Sequence, residues 1–151
     1  MDPAPPRTPG TDVYTPPQGP PQGVAPSREI YAVMGEERLF ALCRDFYAAL
    51  ERSSIRPMFP DDMAKASEKL AAVLVGLLGG PPLYHQRYGS PMMRARHLKF
   101  PIGQAERDVW LNCFKDTLRD APEKHGFPAQ HLDGFVAFLE GFSAWMVNRA
   151  P

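Results

Sequence analysis

Proline limits this chain more than any other residue. Half of its 18 prolines fall within residues 1–26, and most of the rest crowd into two short stretches, 57–60 and 81–101. A proline fixes its own φ and offers no N–H, so neither a helix interior nor a central strand can run through such a stretch. Residues 1–26 also carry almost no aliphatic side chains beyond Val13 and Val24. They cannot build a core, and the expectation is a disordered, locally polyproline-like tail. Within it, Tyr14-Thr15-Pro16-Pro17 is the segment that a proline-reading module would find, although solvation is the simpler fate.

What lies between the proline stretches reads as helix. Ser27 suits the N-cap of a short turn over 28–33, which Gly35 then interrupts. Residues 36–51 set Leu39, Cys43, Phe46, Tyr47 and Leu50 at three- and four-residue steps, with acids at the start. A third helix is expected over about 61–78, with Met63, Ala66, Leu70, Val73, Leu74 and Leu77 on one stripe and Gly79-Gly80 ending it. Residues 81–101 leave room for a loop and one short helix near 92–98, with Pro91 in its first turn. Long helices follow over 104–119 and roughly 129–148, the latter turning Leu132, Phe135, Val136, Leu139, Phe142 and Met146 inward. No segment alternates as a strand does. The chain is expected to be all-α, with residues 27–151 as one domain.

At 151 residues and 44% hydrophobic content, the chain has the size of one domain with one core. Its 17 basic and 17 acidic side chains cancel, which argues against a nucleic-acid partner, since such proteins are strongly basic. Cys43 and Cys113 are too few for a disulfide framework and sit among apolar neighbours as ordinary thiols, in keeping with a reducing compartment. No run is long enough to span a bilayer, and the first residues lack the basic and apolar segments of a secretory signal. A cytoplasmic protein with no membrane partner is expected.

Charge is local rather than global. No Asp or Glu occurs between Glu68 and Glu106, so Lys69, Arg87, Arg94, Arg96 and Lys99 stand uncompensated along the sequence. An anionic ligand with an apolar body suits such a stretch. Haem is one, with carboxylates at one edge, a greasy macrocycle, and an iron that a single neutral imidazole ligates. His97 sits among these cations, and the residues alone leave it either a surface or capping histidine or an axial ligand. Tyr47 and Trp110 pose the same choice: the O–H or N–H of an aromatic on an apolar stripe serves either a structural hydrogen bond or a ligand. There is no Cys-x-x-Cys, no His-Glu-x-x-His and no carboxylate cluster at ligand spacing, so a non-haem metal is not supported. His85, His125 and His131 read as solvated, Trp145 as core or a haem-side wall, and Met92-Met93 as packing.

Several motifs then fall in order: Phe46-Tyr47, Gly79-Gly80-Pro81, Tyr84, Arg94-x-Arg96-His97 before Phe100-Pro101-Ile102, and Glu106-Arg107-Asp108-x-Trp110-Leu111. In these, over about residues 30–145, the chain resembles the group II truncated haemoglobins, short globins built as a two-over-two helical sandwich around haem. The resemblance implies haem b (iron protoporphyrin IX) with His97 as the proximal iron ligand. It implies that the Tyr47 hydroxyl and the Trp110 indole donate to a dioxygen ligand on the distal side. Phe59 falls where many members carry tyrosine, which removes one distal hydroxyl. Ala66 falls at the place of the distal histidine of larger globins, and Leu70 lines the distal side. Lys69, Tyr84, Arg94 and Arg96 match positions that contact or neutralise the propionates, and Phe46, Phe100 and Ile102 complete the implied cofactor contacts. In the ferric state Tyr47 or a water is implied at the sixth position.

The implied function is binding of dioxygen and other diatomic ligands, for storage, local scavenging or sensing rather than bulk delivery. A peroxidase- or dioxygenase-like redox enzyme is the alternative, dependent on an unidentified reductase. A haem-free helical module that recruits partners through its proline-rich tail is the third reading. A monomer and a homodimer are both compatible with the sequence.

Overall fold

The computed structural model describes residues 13–21 and 25–151, and every regular element among them is a helix. The first, α1, spans Ile30–Glu51 and is kinked at Gly35, whose φ of 80° is one that residues with a Cβ avoid. The Ser27 hydroxyl accepts the Glu29 N–H at 3.2 Å, so it organises the approach to the helix, which begins after Glu29. Beyond the kink Leu39, Leu42, Cys43, Phe46 and Leu50 are buried, the face that the spacing predicts.

Helix α2 spans Met63–Leu77, and the Asp62 carboxylate caps it by accepting the Lys65 N–H at 3.0 Å. It ends as expected at the glycine pair. The Gly80 N–H reaches back to Val75 O at 2.8 Å while Gly79 takes φ 109°, a Schellman closure. A Cβ on Gly79 would lie 1.9 Å from Arg28 O, so this close approach also demands glycine. Beside it the Tyr31 N–H donates to Leu78 O at 3.0 Å, lacing the start of α1 to the end of α2. The buried face of α2 is Met63, Ser67, Ala71, Ala72, Leu74 and Val75. Of the predicted stripe, Met63 and Leu74 are buried, whereas Ala66, Leu70, Val73 and Leu77 are half-buried. Ser67, Ala71 and Ala72 join the buried face instead, small residues on the helix that packs most closely with α1.

Residues 81–101 hold more structure than expected. Helix α3 covers Leu83–Tyr88 and helix α4 covers Met93–His97, so Tyr84 lies on a helix rather than in a loop. Pro81 and Pro82 stand just before α3, where a missing N–H breaks no helical bond. Pro91 precedes the Met92 cap instead of entering the first turn, and Met92 takes a left-handed φ of 36°. Helix α5 spans Gln104–Leu118, with Glu106 Oε1 accepting the Gly103 N–H at 3.2 Å. A short α6, Ala121–His125, follows with proline in its first turn. A 3-10 turn at Ala129–His131 leads into α7, Leu132–Met146.

The layers are α1 with α2 and α5 with α7, joined where α1 crosses α5. At that crossing Phe46 stacks on Phe114 with centroids 4.1 Å apart, and Phe114 meets Phe135 edge-on at 5.8 Å. All three rings are fully buried, and each contributes about 1.5–3 kcal/mol by leaving water. Arg107 ties α5 to α7, donating to Ser143 Oγ and to Glu140 O, both at 2.9 Å.

Two expectations change. His125, expected in solvent, is 6% exposed, and its Nε2 bonds Asp45 Oδ2 at 2.7 Å, with Lys124 Nζ on the same oxygen at 2.8 Å. The unforeseen α6 presses it against α1. His131 is likewise half-buried, between Ser27 Oγ and Glu29 Oε2. The second change concerns the tail. Residues 13–21 have a place in the fold: Pro16 is buried, the Tyr14 N–H donates to Asn148 O at 2.9 Å, and Gly19 turns back onto Pro16 O at 3.0 Å. An extended proline-rich chain has unsatisfied backbone groups, and the end of α7 supplies partners for them. Residues 1–12 and 22–24 of the expected disordered tail lie outside the described residues.

Gly79→Ala should lower unfolding stability by about 2–3 kcal/mol, read by urea denaturation, because it adds strain at positive φ to a backbone clash. A second expectation concerns acid. Burial works against the Asp45 carboxylate, but hydrogen bonds from Lys124 and His125 outweigh it and hold its pKa below the ordinary value. The stabilisation is therefore complete above about pH 4 and fades as pH falls through the folded value. The stability gap between wild type and Asp45→Asn, followed by thermal unfolding across pH, should be open near neutrality and close on acidification.

Candidate functional site

The short helix α4 carries His97 at its C-terminal end, half-buried. Its Nδ1 lies 2.6 Å from Met93 O. A carbonyl only accepts, so Nδ1 carries the proton and Nε2 presents a lone pair, with no hydrogen-bond partner among the described residues. This is the arrangement of a ligating histidine, whose second nitrogen is fixed by a carbonyl. Among the described residues no group of three His, Cys, Asp or Glu side chains is placed to hold a metal ion. His97 suits a metal that brings its other ligands with it.

α4 packs on α7 and makes no substantial contact with α1, α2 or α5 among the described residues. What stands between α4 and α2 is α3. Lys69 Nζ on α2 lies 5.5 Å from the Tyr88 ring, Tyr88 lies 5.1 Å from Tyr84, and the Arg96 guanidinium on α4 lies 5.8 Å from Tyr84. This ladder of cation, two phenol rings and cation spans one edge of the separation. Arg96 is further anchored to Ser90 O and Pro91 O, each at 2.8 Å. Lys69, Arg87, Arg94, Arg96 and Lys99 form no ion pair among the described residues.

Tyr47 on α1 and Trp110 on α5 are held by aromatic packing. Phe46 meets both edge-on, at 5.5 Å and 5.4 Å, and Trp110 also touches Phe114 at 5.5 Å. Neither the Tyr47 hydroxyl nor the Trp110 N–H has a hydrogen-bond partner among the described residues. No fully covered side-chain nitrogen or oxygen is unpartnered there either, so both donors reach accessible surface. Burial, with a small addition from Cys43, pushes the Tyr47 phenol pKa up, which keeps the hydroxyl protonated as a donor. Phe59 follows the 3-10 turn Arg56–Met58 and lies edge-on to Tyr47 at 5.8 Å. Arg56 fixes that loop by donating to Phe59 O and Pro60 O, both at 3.2 Å. Ala66 and Leu70 lie on the half-buried row of α2.

Two residues expected at a cofactor stand elsewhere. Phe46 is fully buried, so it is the support behind Tyr47 and Trp110 rather than a lining group. Arg94 turns to the end of α7 and donates to the carbonyls of Trp145, Val147 and Tyr14, with its guanidinium 4.4 Å from the Trp145 ring. Those acceptors take both Nη1 protons and one Nη2 proton and hold the guanidinium at the end of α7. Phe100 and Ile102 stay beside His97: the Phe100 N–H donates to His97 O at 3.0 Å, and the rings are 6.4 Å apart. Sequence reasoning missed Tyr88, which the i, i+4 spacing from Tyr84 signals, and Asn148, which no local pattern signals. A surface groove of about 420 Å³ lined by Glu36, Glu37, Phe40, Arg44 and Arg87 shares no residue with this arrangement except the cation Arg87.

Comparison with known proteins agrees with this geometry. The bacterial-like globin family model matches residues 29–147. The chain is 43% identical over 120 residues to group 2 truncated hemoglobin YjbI of Bacillus subtilis, a match covering 79% of this chain and 88% of the relative. Among solved structures it is similar to phosphate-bound Hell's gate globin IV, with TM-score 0.77 and 35% identity over 85% of this chain and 80% of that one. It is also similar to the truncated oxygen-avid haemoglobin of Bacillus subtilis, with TM-score 0.70 and 37% identity over 78% of this chain and 98% of that one.

Proposed function

Because this chain belongs to the bacterial-like globin family and, within it, to the group II truncated haemoglobins, we propose that it is a haem b globin that binds dioxygen and related diatomic ligands. His97 Nε2 is the axial ligand in this reading, and Tyr47 and Trp110 are the distal donors. The observation that carries it is the His97 imidazole, with Nδ1 fixed by Met93 O at 2.6 Å and Nε2 free. Haem supplies the reversible ligation of small gases at its iron.

The protein supplies everything around that chemistry. Met93 O sets the tautomer and plane of the His97 ring. The Tyr47 O–H and Trp110 N–H are held by rings packed around Phe46, so they need no reorganisation to meet a ligand that gains negative charge. With Phe59 in place of a third hydroxyl, these two are the donors. The half-buried apolar row of Ala66 and Leu70 keeps the distal wall dry. Lys69, Tyr84 and Arg96 suit the propionate edge, and Arg94 belongs to the proximal scaffold instead. A similar structure is described as oxygen-avid, and a pair of preorganised donors supports avid binding here too.

Redox turnover with nitric oxide or peroxide would use the same donors and needs electrons from a reductase. Cys43 and Cys113 are free thiols whose pKa burial pushes up, in keeping with a reducing cytoplasm. No helix among the described residues is long and apolar enough to cross a membrane.

The protein loaded with haem, reduced and placed under carbon monoxide should give a six-coordinate carbonyl absorption spectrum. His97→Gly should lose it and regain it with added imidazole; a mutant spectrum identical to wild type would remove His97 from the iron. Tyr47→Phe and Trp110→Phe should each speed dioxygen release about tenfold or more, the loss of one charge-assisted hydrogen bond of about 1.5–3 kcal/mol. Stopped-flow displacement of dioxygen reads this directly.

A further inference from the structure

The helix that carries His97 is five residues long and contains no buried residue. A helix so short has no stability of its own, so the imidazole is placed by whatever grips α4 from outside. Asn148 is one grip. It is 4% exposed; its Nδ2 donates to His97 O at 3.2 Å and Phe100 O at 2.9 Å, while its Oδ1 accepts the Ile102 N–H at 2.9 Å. Its own N–H donates to Ile102 O at 2.8 Å. Both ends of the turn after α4 are thereby stapled to the second residue beyond α7.

Arg94 is the second grip. The last carbonyls of a helix have no partner within it, and Arg94 takes those of Trp145 and, just beyond the helix, Val147, the latter at 3.0 Å. Its other terminal nitrogen donates to Tyr14 O at 2.9 Å. Tyr14 then donates its N–H to Asn148 O at 2.9 Å. The chain of contacts is closed: Tyr14 to Asn148, Asn148 to His97 and Phe100, α4 to Arg94, and Arg94 back to Tyr14. Pro16 is buried beside this closure, and Pro21 lies over α7 at Gly141.

We propose that residues 13–16 are a proximal strap which, through Arg94 and Asn148, sets the height and azimuth of the His97 imidazole and so tunes the iron–imidazole bond. The strap rests on the haem reading given above. Tyr14, Arg94 and Asn148 are positioning residues, since none of them touches iron or gas. Among the described residues α4 makes no substantial contact with α1 or α5, the elements that carry Tyr47 and Trp110. The strap lies in the proline-rich segment ahead of the region that matches the family model, residues 29–147.

The test uses the full chain loaded with haem, ferrous and free of gas. Resonance Raman spectroscopy reads the iron–histidine stretch, and transfer of haem to apomyoglobin reads its retention. Arg94→Met and Tyr14→Pro should each shift and broaden the iron–histidine band and speed haem loss on the order of tenfold, as for other outer-shell partners of ligating histidines. Arg94→Lys, which keeps the charge but not the fork, should fall between. Tyr14→Pro removes one N–H outside any helix, so it keeps the test decisive where Arg94→Met fails to fold. A band and haem-loss rate unchanged in Tyr14→Pro overturn the strap while leaving His97 ligation intact. A wild type with no iron–histidine band overturns the ligation itself, and the strap with it.

Discussion

The site depends on α4 being held away from α2. Two helices flanking a loop of this length would ordinarily close on each other and bury their apolar rows, which would leave Ala66 and Leu70 covered and His97 enclosed. The Gly79-Gly80 closure stops α2 abruptly, with Gly79 at φ 109° against the Arg28 carbonyl. Pro81 and Pro82 then prevent the helix from resuming at once. The six residues of α3 fill the interval, and the Lys69, Tyr88, Tyr84, Arg96 ladder fixes its width.

Tyr47 and Trp110 rely on a different device, a closely packed aromatic cluster. Phe46 is fully buried and touches Tyr47, Trp110 and Phe114 at once, so one ring at the crossing of the two layers orients both polar tips. The proximal side has no such core. Its histidine is placed by hydrogen bonds to backbone groups from Asn148 and Arg94, directional but individually modest. Tyr47 and Trp110 are thus held by packing, and His97 by polar stapling.

Periodicity carried the sequence reading of α1, α5 and α7 because apolar spacing records burial directly. On α2 it found Met63 and Leu74 but missed Ser67, Ala71 and Ala72, which are too small or polar to register as core yet are buried. Helix α3 was hidden because Pro81 and Pro82 read as breakers, whereas they stand at a helix start, where a missing N–H is harmless. The roles of His97, Tyr47 and Trp110 came from motif resemblance; their chemistry alone left each open. What stayed illegible was long-range. His125 is buried by Asp45, 80 residues away, Asn148 acts on residues 46 to 51 positions earlier, and Arg94 finds Tyr14 across 80. A single polar side chain whose partners are carbonyls has no signature until the fold brings them together.

The acid-free stretch has a consequence for the molecule as a whole. Net charge is zero, yet the chain between Glu68 and Glu106 holds five bases and no acid, so the remainder carries an equal excess of acids. Lys69 and Arg96 of that stretch stand at the two ends of the ladder that links α2, α3 and α4. An anion that approaches this edge meets two cations free of carboxylate partners among the described residues, and its attraction to them fades as salt is added.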